Sequence, residues 1–320
     1  MFMRKPKPPE PPPGGDDHWE REALLRMASA SLEEQRRSRR WGIFFKFLLA
    51  AYLLLLLGLY WPVSFETQVM NKGHTALVDL DGVIMNEGQV DADSVVTGLR
   101  RAFEDSHTRG VILRINSPGG SAVQAGYIHD EVLRLKEENP DIPVYAVIGD
   151  VCASGGYYVA VAADEIYANR ASIVGSIGVV MGSFGFTEAM DKLGVERRLR
   201  TAGEHKGFMD PFSPVKEEEE AHIQGMLEEI HQQFIQVVRE GRGEHLAEDA
   251  DLFSGLVWSG ARATELGLVD ALGSASHVAR EVIGEERIVD FTRRPNYLDR
   301  LSERLGVGAA RGFLQSLAQP

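Results

Sequence analysis

An α/β body with a mainly parallel sheet and crossover helices, preceded by one transmembrane helix, is the fold class this sequence predicts. Two observations carry it. An apolar run of about 23 residues lies near the N-terminus, and after it short β-branched segments alternate with stretches of helical periodicity. At 320 residues the chain exceeds the roughly 100–200 of one ordinary domain. One large domain with appendages fits that length.

The apolar run extends from Trp41 to Val63, with Lys46 its only charge. At about 1.5 Å of rise per residue it is long enough for a ~30 Å hydrocarbon core. Trp41, Phe44 and Phe45 at one end and Tyr60 and Trp61 at the other suit the head-group layers. No small-x-small cleavage site follows, so the segment reads as a retained signal anchor. Arg36, Arg37, Arg39 and Arg40 precede it, whereas Lys72 is the nearest cation after it. The positive-inside rule therefore places the N-terminus in the cytoplasm and the body outside it, in the periplasm if the source is Gram-negative. Before the anchor, KPKPPEPPPGG is expected to be extended and disordered. Residues 19–37 show a loose helical face. The boundaries read as 1–40 cytoplasmic, 41–63 transmembrane, 64–74 linker, 75–290 enzyme-sized body and 291–320 tail.

In the body, Thr75 to Leu80, Gly110 to Ile115 and Val144 to Ile148 read as strands, with helices over Ser94 to Glu104 and Gln124 to Glu138 between them. That alternation implies a parallel sheet with crossovers. A helix starts at Ser154, then a strand covers Glu165 to Ala168, a helix Thr187 to Leu193 and a strand Val195 to Arg200. A long helix runs from Pro214 to about Arg239, its four glutamates at 217–220 favoured by the helix macrodipole. Ser259 caps a short helix ending near Gly267, and Glu286 to Phe291 forms a last strand. Leu298, Leu301 and Leu305 give the tail a helical spacing.

Composition narrows the chemistry. A net charge of −13 argues against nucleic acid, which needs clustered Lys and Arg. Cys152 is the single cysteine, so an intrachain disulfide and multi-cysteine zinc sites are excluded. No H-E-x-x-H pair marks a metallopeptidase, and no metal or cofactor is expected. Two glycine loops follow predicted strands: INSPGGSAVQA at 115–125 and DVCASGGYYVAVAA at 150–163. Glycine between strand and helix lets backbone N–H groups converge on an anion, although Pro-Gly also marks ordinary turns. Ser154 begins a helix beside two glycines. It is either a helix cap or an exposed nucleophile, and the strict G-x-S-x-G pattern fails because position 152 is Cys.

INSPGG, ASGGYYVA, GSIGVV and EHKG occur in the order and spacing of the SppA-type signal peptide peptidases of family S49, which this chain resembles over about residues 75–280. The resemblance implies a ClpP/crotonase-like fold and a serine endopeptidase with a Ser-Lys dyad. It assigns Ser154 as nucleophile, Lys206 as general base and Ser176 as a support for the lysine. Oxyanion donors would be Gly155 and either Gly119 or Gly120. A lysine ordinarily titrates near 10.4, so a lysine base needs surroundings that disfavour its ammonium form. Phe208 and Met209 are expected to wall it. The resemblance also implies peptide substrates, above all signal-peptide remnants at the inner membrane, and a ring-shaped homo-oligomer with sites between neighbours. Alternatives are a Ser-His-Asp triad using His205, a crotonase-like acyl-CoA enzyme, and a non-catalytic membrane scaffold.

Overall fold

The computed structural model describes residues 39–55, 73–86, 88, 90–248 and 251–293. The chain divides between Val69 and Met70 into two units. In the first, α1 covers residues 39–55; no helix of the described residues is long and apolar enough to cross a membrane. The rest of the expected span, the proline-rich tract, the 19–37 segment and the tail from 294 lie outside the described residues.

In the second unit β1 (His74–Asp81), β2 (Thr108–Ser117) and β3 (Val144–Ala153) form the centre of the sheet. Their near-continuous apolar runs, ALVDL, VILRI and VYAVI, are those of strands covered on both faces, which is the setting of parallel pairing. The predicted alternation is realised, with wider bounds. β4 (Glu165–Ala168), β5 (Ile173–Gly175), β6 (Val257–Ser259), β7 (Ala271–Leu272) and β8 (Ile288–Asp290) complete an eight-stranded sheet. Every pairing is parallel except β5 with β6. β3 changes partner along its length. Tyr145 to Val147 pair with β4, and Val151 to Ala153 pair with β5. The end of β3 is thereby held between β5 and β2, where Ser117 pairs with Cys152.

The crossovers α2 (Ala92–Glu104) and α3 (Ala122–Glu138) are capped by Asp91 and Ser121, whose side chains accept from Ser94 N–H at 2.8 Å and Gln124 N–H at 3.4 Å. Their buried faces join the main core. α4 (Gly155–Ala160) follows β3 directly, α5 (Thr187–Leu193) buries no residue, and α6 (Glu217–Arg242) is the long acidic-started helix expected. α7 (Gly260–Glu265) is capped by Ser259, and α8 (Ala275–His277) leads into a π-helical turn. That turn covers the other face of the sheet through Val278 and Ala279, packed on Leu77, Ile112, Val147 and Tyr167.

The strand expected over Val195 to Arg200 is absent. The segment joins no ladder, and its two apolar side chains, Val195 and Leu199, are exposed. With arginine at 197, 198 and 200 it offers no apolar face for a sheet to cover.

One buried ion pair ties α6 to the turn before β7. The Arg242 guanidinium, 3% exposed, donates to both carboxylate oxygens of Asp270 at 2.8 Å and to the Gly267 carbonyl at 2.9 Å. Burial alone would raise the Asp270 carboxyl, but bonds from Arg242 and from the Ile166 N–H hold it below the usual carboxylate range. A lowered carboxylate stabilises the fold above the unfolded value of about 3.9 and loses that effect as acid takes the pH down through the folded value. Asp270→Asn, which strands a buried guanidinium, is expected to cost about 3–5 kcal/mol. Thermal unfolding at pH 7 should show a fall of roughly 10 °C, and much of the difference from wild type should vanish as acid takes the pH down through the lowered value of Asp270.

Candidate active site

Ser154 stands at the junction of β3 and α4 with φ 51° and ψ −124°. A non-glycine residue there is strained by about 1–3 kcal/mol and persists only where its surroundings over-determine it. They do so here. Its N–H donates to the Gly175 carbonyl at 2.8 Å, and its carbonyl accepts from Tyr158 N–H at 3.0 Å. The half-buried side chain makes no capping bond. Of the two roles open to this serine, the hydroxyl does not perform the cap's; it is left available.

The SPGG loop presses against this junction. A Cβ on Gly119 (φ 97°) would lie 2.7 Å from Gly155 N and 2.8 Å from Ser154 Cβ. Ile84 fixes the loop, its N–H donating to Gly119 O at 2.9 Å and its carbonyl accepting from Ser121 N–H at 2.7 Å. Gly119 N–H is taken by the buried Ser117 Oγ at 3.1 Å. The N–H groups of Gly120 and Gly155 take no part in the hydrogen bonding of the described residues. Of the glycines expected to bind an oxyanion, these two retain a donor. Ser117 was not anticipated as part of this arrangement; INSPGG places it before the loop but does not tell which amide it occupies.

Gly120 combines φ 146° with a space that a Cβ would share with the Ile84 carbonyl at 2.0 Å. Gly120→Ala is therefore expected to displace the loop, with activity reduced by on the order of 10²-fold or more, as for loss of one oxyanion donor. Loss of hydrolysis should accompany a lower unfolding temperature. Wild-type activity in this variant would exclude the loop from the site.

Ser176 is next to Ser154 by register. Ala153 pairs with Gly175, and Ser176, also at positive φ (53°), follows it. Its N–H donates to Leu256 O at 2.7 Å. Gly175 is required because a Cβ there would meet the Trp258 ring at 2.8 Å.

Lys206 is not brought to Ser154. It is exposed in a turn whose Lys206 N–H donates to Gly203 O at 3.2 Å, and no hydrogen bond joins it to Ser154 or Ser176 among the described residues. The expected apolar wall is also different. Phe208 packs edge-on against His222, with ring centroids 5.6 Å apart, and Lys206 remains in solvent. The turn belongs to an arm over 179–215 with Val180, Phe184 and Leu193 exposed by 92%, 80% and 78%. The arm has its own internal order: Phe186 stacks on Phe212 at 5.5 Å, and Arg197 pairs with Asp210 at 3.1 Å while lying over the Phe212 ring. Among the described residues no three His, Cys, Asp or Glu side chains converge as metal ligands.

The described geometry is a strained serine, two free amides and an exposed lysine that makes no hydrogen bond to that serine among the described residues. Comparison with known proteins gives this arrangement its family. The model of peptidase family S49 matches residues 136–287, which include Ser154, Ser176 and Lys206. A protein of Enterococcus faecium with the provisional name signal peptide peptidase SppA is 31% identical over 237 residues, covering 72% of this chain and 68% of its own. Protease 4 of Haemophilus influenzae is 33% identical over 227 residues, 68% of this chain and 36% of its own. A protein of Brucella abortus named Na(+)/H(+) antiporter NhaA is 44% identical over 215 residues, which are 66% of this chain but 29% of that longer protein. The chain thus spans less than a third of the Brucella relative. With a family model centred on the serine and lysine segments and a relative alike over two thirds of both lengths, the chain belongs to peptidase family S49, a family of serine peptidases.

Proposed function

We propose that this protein is a membrane-anchored serine endopeptidase that cleaves signal-peptide remnants and other membrane-associated peptides with a Ser154–Lys206 dyad. The observation that carries the reading is Ser154 itself: a strained residue of an S49 chain whose hydroxyl is unengaged beside two unpaired amides. Ser154 Oγ would attack the scissile carbonyl carbon while its proton passes to the neutral Lys206 amine. Gly155 and Gly120 N–H would take the charge that forms on the carbonyl oxygen. Collapse breaks the C–N bond, with the lysine proton leaving on the amine product. Water then hydrolyses the acyl-enzyme by the same transfers in reverse. Ser176, beside Ser154, would receive a lysine N–H bond and so direct the amine.

The lysine of one copy would reach the serine of another in a ring-shaped homo-oligomer. Support comes from the exposed apolar side chains of the arm that carries Lys206 and from the exposure of Lys206, which makes no hydrogen bond to Ser154 among the described residues. The apolar segment 41–63 would hold the ring at the inner membrane with the body on the extracytoplasmic side, near the peptides released there. Purified full-length protein in detergent is expected to cut a synthetic signal-peptide fragment within its apolar stretch, and to take up a fluorophosphonate probe at Ser154 in proportion. Absence of both cleavage and labelling, with a native thermal transition, would overturn the peptidase reading. Cleavage without labelling would move the nucleophile elsewhere.

A further inference from the structure

α6 begins directly after the arm that carries Lys206, and its first turn contains a carboxylate that the hydrolytic chemistry does not use. Glu217, Glu218 and Glu220 are exposed, whereas Glu219 is 6% exposed. A glutamate is rarely buried unless paired, and Glu219 has two partners. Lys216 Nζ lies at 3.1 Å and the Met209 N–H donates to its Oε2 at 3.2 Å, which together hold the carboxyl below the usual carboxylate range. Met209 is itself strained, with φ 55°. It ends the turn that presents Lys206. Within that turn Lys206 N–H bonds Gly203 O, Phe208 N–H bonds His205 O, and Asp210 N–H bonds Gly207 O, at 3.2, 3.0 and 3.3 Å. Those bonds shape the turn but do not fix it to the body. The connection to α6 comes from Glu219 on Met209 and from His222 against Phe208. Residues 219 and 222 are three apart and share one face of the helix.

We propose that Glu219 is a positioning residue for Lys206, clasping the strained Met209 amide to α6 so that the lysine turn is presented in one orientation. The inference rests on the Ser-Lys reading above. Lysine carries its charge on a flexible four-carbon stem, so the stem's anchorage decides where the amine spends its time. A misplacement of about 1 Å in a catalytic group can cost on the order of 10²-fold in rate. Glu219 touches neither substrate nor serine. Its effect should appear in kcat and leave KM alone.

The test compares Glu219→Gln, Glu219→Asp and Lys206→Ala in the full-length enzyme. Gln keeps an acceptor at the same reach and loses the charge. Asp keeps the charge and withdraws the acceptor from Met209 by about 1.5 Å, one C–C bond. Both changes are small enough to retain α6, and a thermal transition measures that directly. The expected result is kcat within about threefold of wild type for Gln and at least about tenfold lower for Asp, with KM unchanged in both, within the range that misplacement allows. Wild-type kcat in Glu219→Asp, equal losses in both variants, or losses that follow the unfolding temperature would each overturn the clasp. Full activity in Lys206→Ala, a variant that leaves Glu219 intact, would instead remove the dyad on which the proposal stands.

Discussion

Ser154→Ala is expected to abolish peptide hydrolysis, with turnover falling on the order of 10⁴-fold or more, as when a serine nucleophile is removed. Its effect on stability should be small. The hydroxyl makes no hydrogen bond among the described residues, and alanine keeps the Cβ that the site already accommodates. Thermal unfolding should therefore stay within about 1 kcal/mol of wild type, the usual scale for a substitution that breaks no packing or network. The positive φ of 51° makes a sharper comparison possible. Ser154→Gly should be equally inactive and more stable than Ser154→Ala by about 1 kcal/mol, because glycine occupies that region without the Cβ penalty. Stability gained with activity lost would locate the strain at the nucleophile. A Ser154→Ala enzyme that still cleaved peptide would refute the assignment at once.

The sequence made the centre of the fold legible because β1, β2 and β3 are apolar on both faces, and such strands need no partner information to be recognised. The same rule failed at Val195 to Arg200, where β-branched and leucine residues suggested a strand but three arginines left nothing for a sheet to cover. β5, β6 and β7 are two or three residues long, below the length at which alternation can be read. Their positions depend on β3 changing partner, which is a tertiary event. At the site, Ser154, Ser176 and the two glycine loops were singled out by their motifs as candidates, and the structure adds which loop amides are unpaired among the described residues. That detail turns on Ser117 Oγ occupying Gly119 N–H, and no local pattern states it. Lys206 marks the limit most clearly. EHKG fixes its place in the chain, but the exposure of its side chain follows from how the 179–215 segment packs, which no local pattern states.

Lys206 carries the second large expected effect. Lys206→Ala should lower turnover as severely as Ser154→Ala, because members of a nucleophile-base unit fail together. Lys206→Arg should not rescue it, since a guanidinium stays protonated and has no lone pair to offer the serine proton. The exposure of Lys206, with no hydrogen bond to Ser154 among the described residues, makes mixing the informative experiment. Ser154→Ala subunits retain the lysine, and Lys206→Ala subunits retain the serine. Co-assembled in equal amounts and isolated through two affinity tags, they meet in four combinations at a head-to-tail interface, so about a quarter of sites would pair an intact serine with an intact lysine. Activity near a quarter of wild type is the expected result for a shared site. A dyad formed within one chain predicts none, because every chain then carries a defect. No recovery in verified mixed assemblies would exclude the shared site and require the 179–215 arm to fold back toward Ser154 of its own chain. The exposed Val180, Phe184 and Leu193 argue for the first outcome, since a neighbour that receives the arm would cover them as it brings the lysine to the serine.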